Sequence, residues 1–175
     1  MMTPAAKDQM SRLDSFIRRL TAQKACLEQC ASGIADMDGV IVELGLGNGR
    51  TFDHLREIMP GREIFVLERE PRAHPSSTPD CDHLLIGTLA ELLPDLTNRL
   101  PAPAVFIHSD IGCGDAEKDS RTAALICEHI SGFLAPGGLV ASDQNLLSSE
   151  LCALPLPEGV KEGRYHVYRR IDPDR

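Results

Sequence analysis

Three glycines at alternating positions, Gly45, Gly47 and Gly49, stand between two acids, Glu43 and Glu68. Glycine turns the backbone tightly and carries no Cβ, so such a loop lets a ligand come against the main chain. The spacing separates ligand classes. A dinucleotide loop is G-x-G-x-x-G, its third glycine allowing close helix–strand packing; here the position three after Gly47 is Arg50. Glu43 precedes the loop, where its charge would repel a pyrophosphate and favour a cationic or ammonium-bearing ligand. Further along, His108, Ser109 and Asp110 close another apolar run. Asp110, or His108 as second choice, is a candidate to orient or deprotonate a reacting group. The structural alternative is that Asp110 only caps a turn and His108 is a satisfied, partly buried ring.

The elements that must position these residues follow from the apolar pattern. Residues 40–44 form a short β-branched run that suits a strand buried on both faces. Phe52, Leu55 and Met59 recur at helical spacing, and Pro60-Gly61 stops that helix. Residues 64–67 make a second strand, ending in Glu68, about twenty residues beyond the glycines, where a doubly wound sheet places the acid that binds a ribose. Glu70 competes for that role, but Glu68 directly follows the apolar run. Residues 69–82 read as a proline-rich loop. A third strand spans 82–87, with a turn and short helix from Thr88. The fourth strand is 103–108, the next helix 119–134, and the fifth strand 139–142 after a Pro136-Gly137-Gly138 turn. Residues 151–156 and 164–170 read as a closing hairpin. In such a sheet the ligand lies outside the strands' carboxyl ends, where their order reverses; that reversal falls between the first and fourth strands. Gly112 and Gly114 make the loop after Asp110 supple.

The opening of the chain reads as one long helix over 3–31, with Thr3 as cap and Pro4 in its first turn. Met10, Leu13, Phe16, Ile17, Leu20, Leu27, Cys30 and Ile34 make one apolar face; Arg12, Arg18, Arg19, Lys24 and Glu28 lie opposite. Packing across the sheet or against a second subunit is the reading preferred over a lid on the substrate pocket.

Glu43-Leu-Gly-Leu-Gly-Asn-Gly49, with Glu68 closing the second strand, resembles the first two motifs of the class I S-adenosylmethionine-dependent methyltransferases. Gly45 to Thr51, read as G-L-G-N-G-R-T, and the C-terminal G-R-Y and Y-R-R of Gly163 to Arg170 are similar to a family of small bacterial S-adenosylmethionine methyltransferases. The resemblance implies an α/β Rossmann-like fold: a seven-stranded, mostly parallel sheet with an antiparallel last strand, helices on both faces and a long N-terminal helix. It implies one domain over 1–175, with 1–36 an N-terminal helical extension. It implies S-adenosylmethionine as cofactor, held by Glu43, Gly45, Leu46, Gly47, Asn48, Gly49, Arg50 and Thr51 at the amino-acid part. Glu68 and Arg69 would serve the ribose, Thr88 and Leu89 the adenine, and Ser109 would face the reacting methyl group. At the adenine junction Thr88 stands where the family often carries an acid. Asp110 with Asp143-Gln144 resembles the metal positions of divalent-metal O-methyltransferases of the catechol and caffeoyl-CoA type, though Gln144 stands where that resemblance asks for Asn. The expectation set here includes no metal ligand.

The chain has 175 residues and a net charge of −8. That balance argues against a nucleic-acid backbone as the main partner, and no apolar run reaches the length of a membrane span. The first residues carry no apolar core of a secretion signal. The six cysteines make no C-x-x-C pair, which fits reduced thiols in a cytoplasmic protein. The expected function is methyl transfer to a small molecule, with a possible homo-oligomer through the first helix. A non-catalytic binder of the cofactor or of S-adenosylhomocysteine is the competing reading.

Overall fold

A computed structural model describes residues 11–172. The chain runs α1 (Arg12–Gly33), β1 (Val40–Leu44), α2 (Arg50–Ile58), β2 (Ile64–Glu68), β3 (Leu84–Ile86), α3 (Leu89–Leu92), α4 (Leu96–Arg99), β4 (Ala104–Ser109), α5 (Ala116–Phe133), β5 (Leu134–Ser142), β6 (Leu151–Ala153) and β7 (His166–Arg170). One 3₁₀ turn, Pro75–Ser77, interrupts the proline-rich loop and another, Leu93–Asp95, joins α3 to α4. The seven strands form one sheet in the order β3-β2-β1-β4-β5-β7-β6. β1 to β5 pair in parallel, and β7 is antiparallel to both of its neighbours. The expected seven-stranded Rossmann-like architecture is therefore the observed one, reversal between β1 and β4 included.

Strand alternation divides the interior between two faces. Val40, Val42 and Leu44 of β1 join Leu92, Leu96, Ile126 and Ile130 from α3, α4 and α5. Ile41 points the other way, with Leu27 and Ile34 of α1 and Phe52 and Leu55 of α2. Glu43 is next in that alternation, so it lies on the α1 and α2 side. β1 is buried along its whole length, as its continuous apolar run predicts for a strand covered on both faces. Arg62 ties the chain entering this strand, donating from Nη1 to the Gly39 carbonyl at 3.1 Å and from Nη2 to the Ile34 carbonyl at 2.9 Å.

Three expectations are corrected. The apolar stripe of the first helix is not buried as a whole. Ala22, Gln23, Cys26, Leu27 and Cys30 are covered, while Leu13, Phe16 and Ile17 are exposed. Only the C-terminal half of α1 lies over the sheet, so periodicity overstated its contact. Ser11 caps the described part, its hydroxyl accepting from the Asp14 N–H at 3.0 Å; the expected start at residue 3, with Thr3 and Met10, lies outside the described residues. The fifth strand begins at Leu134 rather than after the Pro-Gly-Gly turn. Pairing with β4 jumps from Ala104↔Leu134 to Phe106↔Leu139, so residues 135–138 bulge from the ladder, helped by Gly137 at φ 76°. The helix before it starts at Ala116, because Asp115 accepts from the Glu117 and Lys118 N–H groups and caps it.

Candidate functional site

The glycine loop leaves β1 and enters α2 with Gly45, Gly47 and Gly49 all at positive φ, 86°, 52° and 73°. Two of these differ in what a side chain would meet. A Cβ on Gly49 would stand 2.3 Å from the Ser77 carbonyl oxygen. One on Gly47 would meet nothing within 4 Å; there the glycine leaves space, which belongs to the clefts on either side. The loop is held from β2. Glu68 Oε2 accepts from the Leu46 N–H at 2.9 Å and the Gly47 N–H at 3.3 Å, and Oε1 from the Glu70 N–H at 2.9 Å. Burial pulls the Glu68 carboxyl up, but these backbone N–H groups outweigh it and hold it below the usual carboxylate range. Glu70 is exposed and pairs with Arg72.

Behind the loop sits a buried polar chain. Glu43 has no exposure at all. Its Oε1 accepts from the Thr51 hydroxyl and lies 3.3 Å from His108 Nδ1. Oε2 is buried and has no hydrogen-bond partner among the described residues. The other nitrogen of His108, Nε2, is 2.6 Å from the Tyr165 hydroxyl. Nδ1–H donated to the carboxylate leaves Nε2 to accept that hydroxyl's proton, which satisfies both ring nitrogens and the hydroxyl. Burial pushes the Tyr165 hydroxyl well above the phenol range, and the charge of Asp110 adds to this.

Asp110 follows β4. Both its oxygens lie 3.3 Å from Arg19 Nη1, and Gln23 Nε2 donates to Oδ2. Arg19 and Gln23 are one turn apart on α1, so the helix both packs and covers the site. Asp143, after β5, accepts from the Gly112 N–H at 2.9 Å. Burial first, and then the Asp110 charge, raise its carboxyl to about 6. Asp119 accepts from the Cys113 and Gly114 N–H groups at 2.9 and 3.0 Å. The loop expected to be supple is thus tied at both ends of its turn.

Two clefts meet on this floor. The larger, about 490 Å³, runs past Glu68, Arg69, Thr88 and Leu89 to Ile111. The smaller, about 170 Å³, lies between Arg19 and Gln23 of α1 and Asn48, Arg50, Thr51 and His108. They share Gly45, Gly47 and Asp110. Leu46 lines the smaller cleft as well. Three expected residues line neither. Glu43 is behind the loop, Gly49 packs on Ser77, and Ser109 is fully buried with a hydroxyl that finds no partner among the described residues. Thr88 donates its hydroxyl to Glu91 Oε2 at 2.8 Å, so what it offers a ligand is lone pairs. Sequence reasoning read Arg19 on the outer face of its helix and did not single out Gln23; it named Asp143 only through the metal resemblance and Tyr165 only within the G-R-Y motif.

The donors present suit a zwitterionic nucleoside. An unpartnered buried carboxylate oxygen fits an ammonium, and an open glycine main chain fits close approach. Asp110 is held by Arg19 and Gln23, and among the described residues no three of His, Cys, Asp and Glu converge. No helix among the described residues is long and apolar enough to cross a membrane.

This strand order, with a glycine loop between acidic strand ends at the switch point, defines a class I S-adenosylmethionine-dependent methyltransferase. The profile of the S-adenosyl-L-methionine methyltransferase family matches residues 10–170, and the chain belongs to that family. Its fold is similar to that of an S-adenosyl-L-methionine methyltransferase from Silicibacter pomeroyi, with 45% identity, a TM-score of 0.86, and 93% of this chain and 99% of that one covered. Two more distant structures share the fold. One is a candidate caffeoyl-CoA O-methyltransferase from Staphylococcus aureus, at 11% identity and TM-score 0.54, with 93% of each chain covered. The other is a release-factor-specific protein-(glutamine-N5) methyltransferase from Alicyclobacillus acidocaldarius, at 15% identity and TM-score 0.51, covering 86% of this chain and 93% of that one. Comparison with curated proteins gives no significant match. The chain is an S-adenosylmethionine-dependent methyltransferase.

Proposed function

We propose that this methyltransferase acts on a small-molecule acceptor bound beside Asp110, between α1 and the carboxyl end of β4. The observation that carries the reading is the meeting of the two clefts at Gly45, Gly47 and Asp110. In this reading the larger cleft takes the adenosine, with Glu68 on the ribose and Thr88 and Leu89 at the adenine. The smaller takes the amino-acid part, its ammonium over the glycine loop, drawn by the buried charge of Glu43 behind it. α1 walls the smaller cleft closely, which favours a small acceptor over a folded chain, and the net charge of −8 disfavours nucleic acid. The six cysteines, all unpaired, accord with a reducing, cytoplasmic setting.

When bound, S-adenosylmethionine supplies a methyl group already activated on a sulfonium, open to in-line displacement. The residues of the chain need chiefly to align the acceptor with it, and alignment is worth about 7–11 kcal/mol. Asp110 orients the acceptor and takes its proton where it carries one, worth about 10²–10⁴-fold. His108 was the second choice for that task. Both of its ring nitrogens are engaged, so it positions Glu43 instead.

The test is transfer of labelled methyl to a panel of metabolites, with protein and RNA as comparison acceptors. A small acceptor should be methylated, and Asp110→Asn should lower kcat by about 10²–10⁴-fold with cofactor affinity kept. Unchanged turnover in the variant would remove Asp110 from this role. Tight cofactor binding with no acceptor methylated would favour a non-catalytic binder.

A further inference from the structure

Arg19 is a cation in a cleft that must receive an anion. The amino-acid part of the cofactor carries a carboxylate beside its ammonium. With the ammonium over the glycine loop, the carboxylate needs a positive partner in the smaller cleft, and the arginines lining it are Arg19 and Arg50. Arg50 opens α2, where the helix dipole also favours an anion.

The present partner of Arg19 is a poor match for it. A single nitrogen, Nη1, reaches both Asp110 oxygens at 3.3 Å. A guanidinium–carboxylate fork would use two nitrogens at about 2.7–2.9 Å. The guanidinium is half-exposed and lies 5.8 Å over the Phe16 ring, which holds its plane at the mouth of the cleft. This accounts for one of the exposed apolar side chains of α1. Gln23 stays behind on Asp110, so the helix keeps its place if Arg19 turns away.

We propose that Arg19 binds the carboxylate of the cofactor's amino-acid part, and that in doing so it leaves Asp110 free for the acceptor. The inference rests on the assignment of the smaller cleft to the amino-acid part. A guanidinium held by the cofactor's carboxylate no longer neutralises Asp110, so seating the cofactor makes Asp110 available. Binding is therefore ordered, cofactor first and acceptor second, and α1 carries a cofactor contact that no glycine-loop motif reveals.

Calorimetry with two nucleosides tests this. S-adenosylhomocysteine has the amino-acid part; 5′-deoxy-5′-methylthioadenosine has the same thioether adenosine without it. Arg19→Gln should weaken S-adenosylhomocysteine by about 10- to 100-fold and leave methylthioadenosine unchanged. Arg19→Lys, which keeps the charge, should recover part of the loss. Asp110→Asn should bind S-adenosylhomocysteine more tightly than the unaltered chain, since Arg19 is then released in advance. A wild-type chain that prefers S-adenosylhomocysteine, with Arg19→Gln binding it unchanged, overturns the role of Arg19 alone. Equal loss of both nucleosides in Arg19→Gln also overturns it, because α1 would then act only as a wall. A wild-type chain that binds the two nucleosides equally well overturns the cleft assignment, and the proposal with it.

Discussion

Glu43 and His108 face each other across β1 and β4, with His108 Nδ1 3.3 Å from Glu43 Oε1 and both side chains buried. The carboxylate is lopsided: one oxygen is bonded to Thr51 and approached by His108, and the other has no partner among the described residues. Leaving a buried polar atom unpaired costs about 1–3 kcal/mol, and the charge held there favours an ammonium over the loop in front of it. Glu43→Gln keeps the shape and an acceptor for Thr51 but removes the charge. Its affinity for S-adenosylhomocysteine, measured by calorimetry, should fall about 10- to 100-fold. Unaltered affinity would show that the ammonium binds elsewhere.

The glycine loop separates stability from binding. Gly49→Ala must hold φ 73° and place a methyl 2.3 Å from the Ser77 carbonyl. The left-handed backbone costs about 1–2 kcal/mol and the overlap about 1–3 more. Urea unfolding should show a loss in that range. Gly47→Ala has no clash to add, so it should lose only the backbone part. Its new methyl enters the clefts, and cofactor affinity should fall more than stability does.

Asp143 gives a pH signature. Its carboxyl is raised from 3.8 to about 6 in the folded chain. The folded state therefore keeps the proton longer than the unfolded one, and this group's contribution falls as pH rises between those values and is level above them. The whole effect is up to about 3 kcal/mol. Other carboxylates slope the opposite way, Glu68 among them, so the useful quantity is the difference between wild type and Asp143→Asn. Relative to wild type, the variant should gain stability from pH 4 to pH 7 by up to that amount in denaturant unfolding. No change in the difference would mean the pair with Asp110 does not hold its proton.

Chelation distinguishes carboxylate chemistry from metal chemistry. In the proposed reading Asp110 orients the acceptor and takes its proton, a task that needs no metal ion. Methyl transfer should survive EDTA at full rate. Loss of activity restored by Mg²⁺ would overturn the account of Asp110.

The parallel core of the sheet was legible because its strands are continuous apolar runs and its loop is marked by glycine. Residues 40–44 were placed to the residue, and the run read over 64–67 closes in Glu68 at the strand end, as expected. What escaped depended on distance in the chain. Arg19 was counted on the solvent face of its helix, and nothing local says that it reaches Asp110, 91 positions later. Tyr165 belonged to a recognised motif, but it stands just before β7, and its bond to His108 of β4 reaches past the intervening β5, a contact that no periodicity encodes. The Pro136-Gly137-Gly138 stretch read as a turn because proline and glycine normally end strands. Here the ladder resumes beyond a bulge, so the rule for the residues was right and its extrapolation to the strand was not.

Because Arg19 and Gln23 form one side of the smaller cleft, α1 is not a removable appendage. A shortened chain beginning at Lys24 would retain the whole glycine loop and much of the buried face of the helix, yet open that cleft to solvent. Fragments cut for expression should therefore be judged by ligand discrimination as well as by whether they fold.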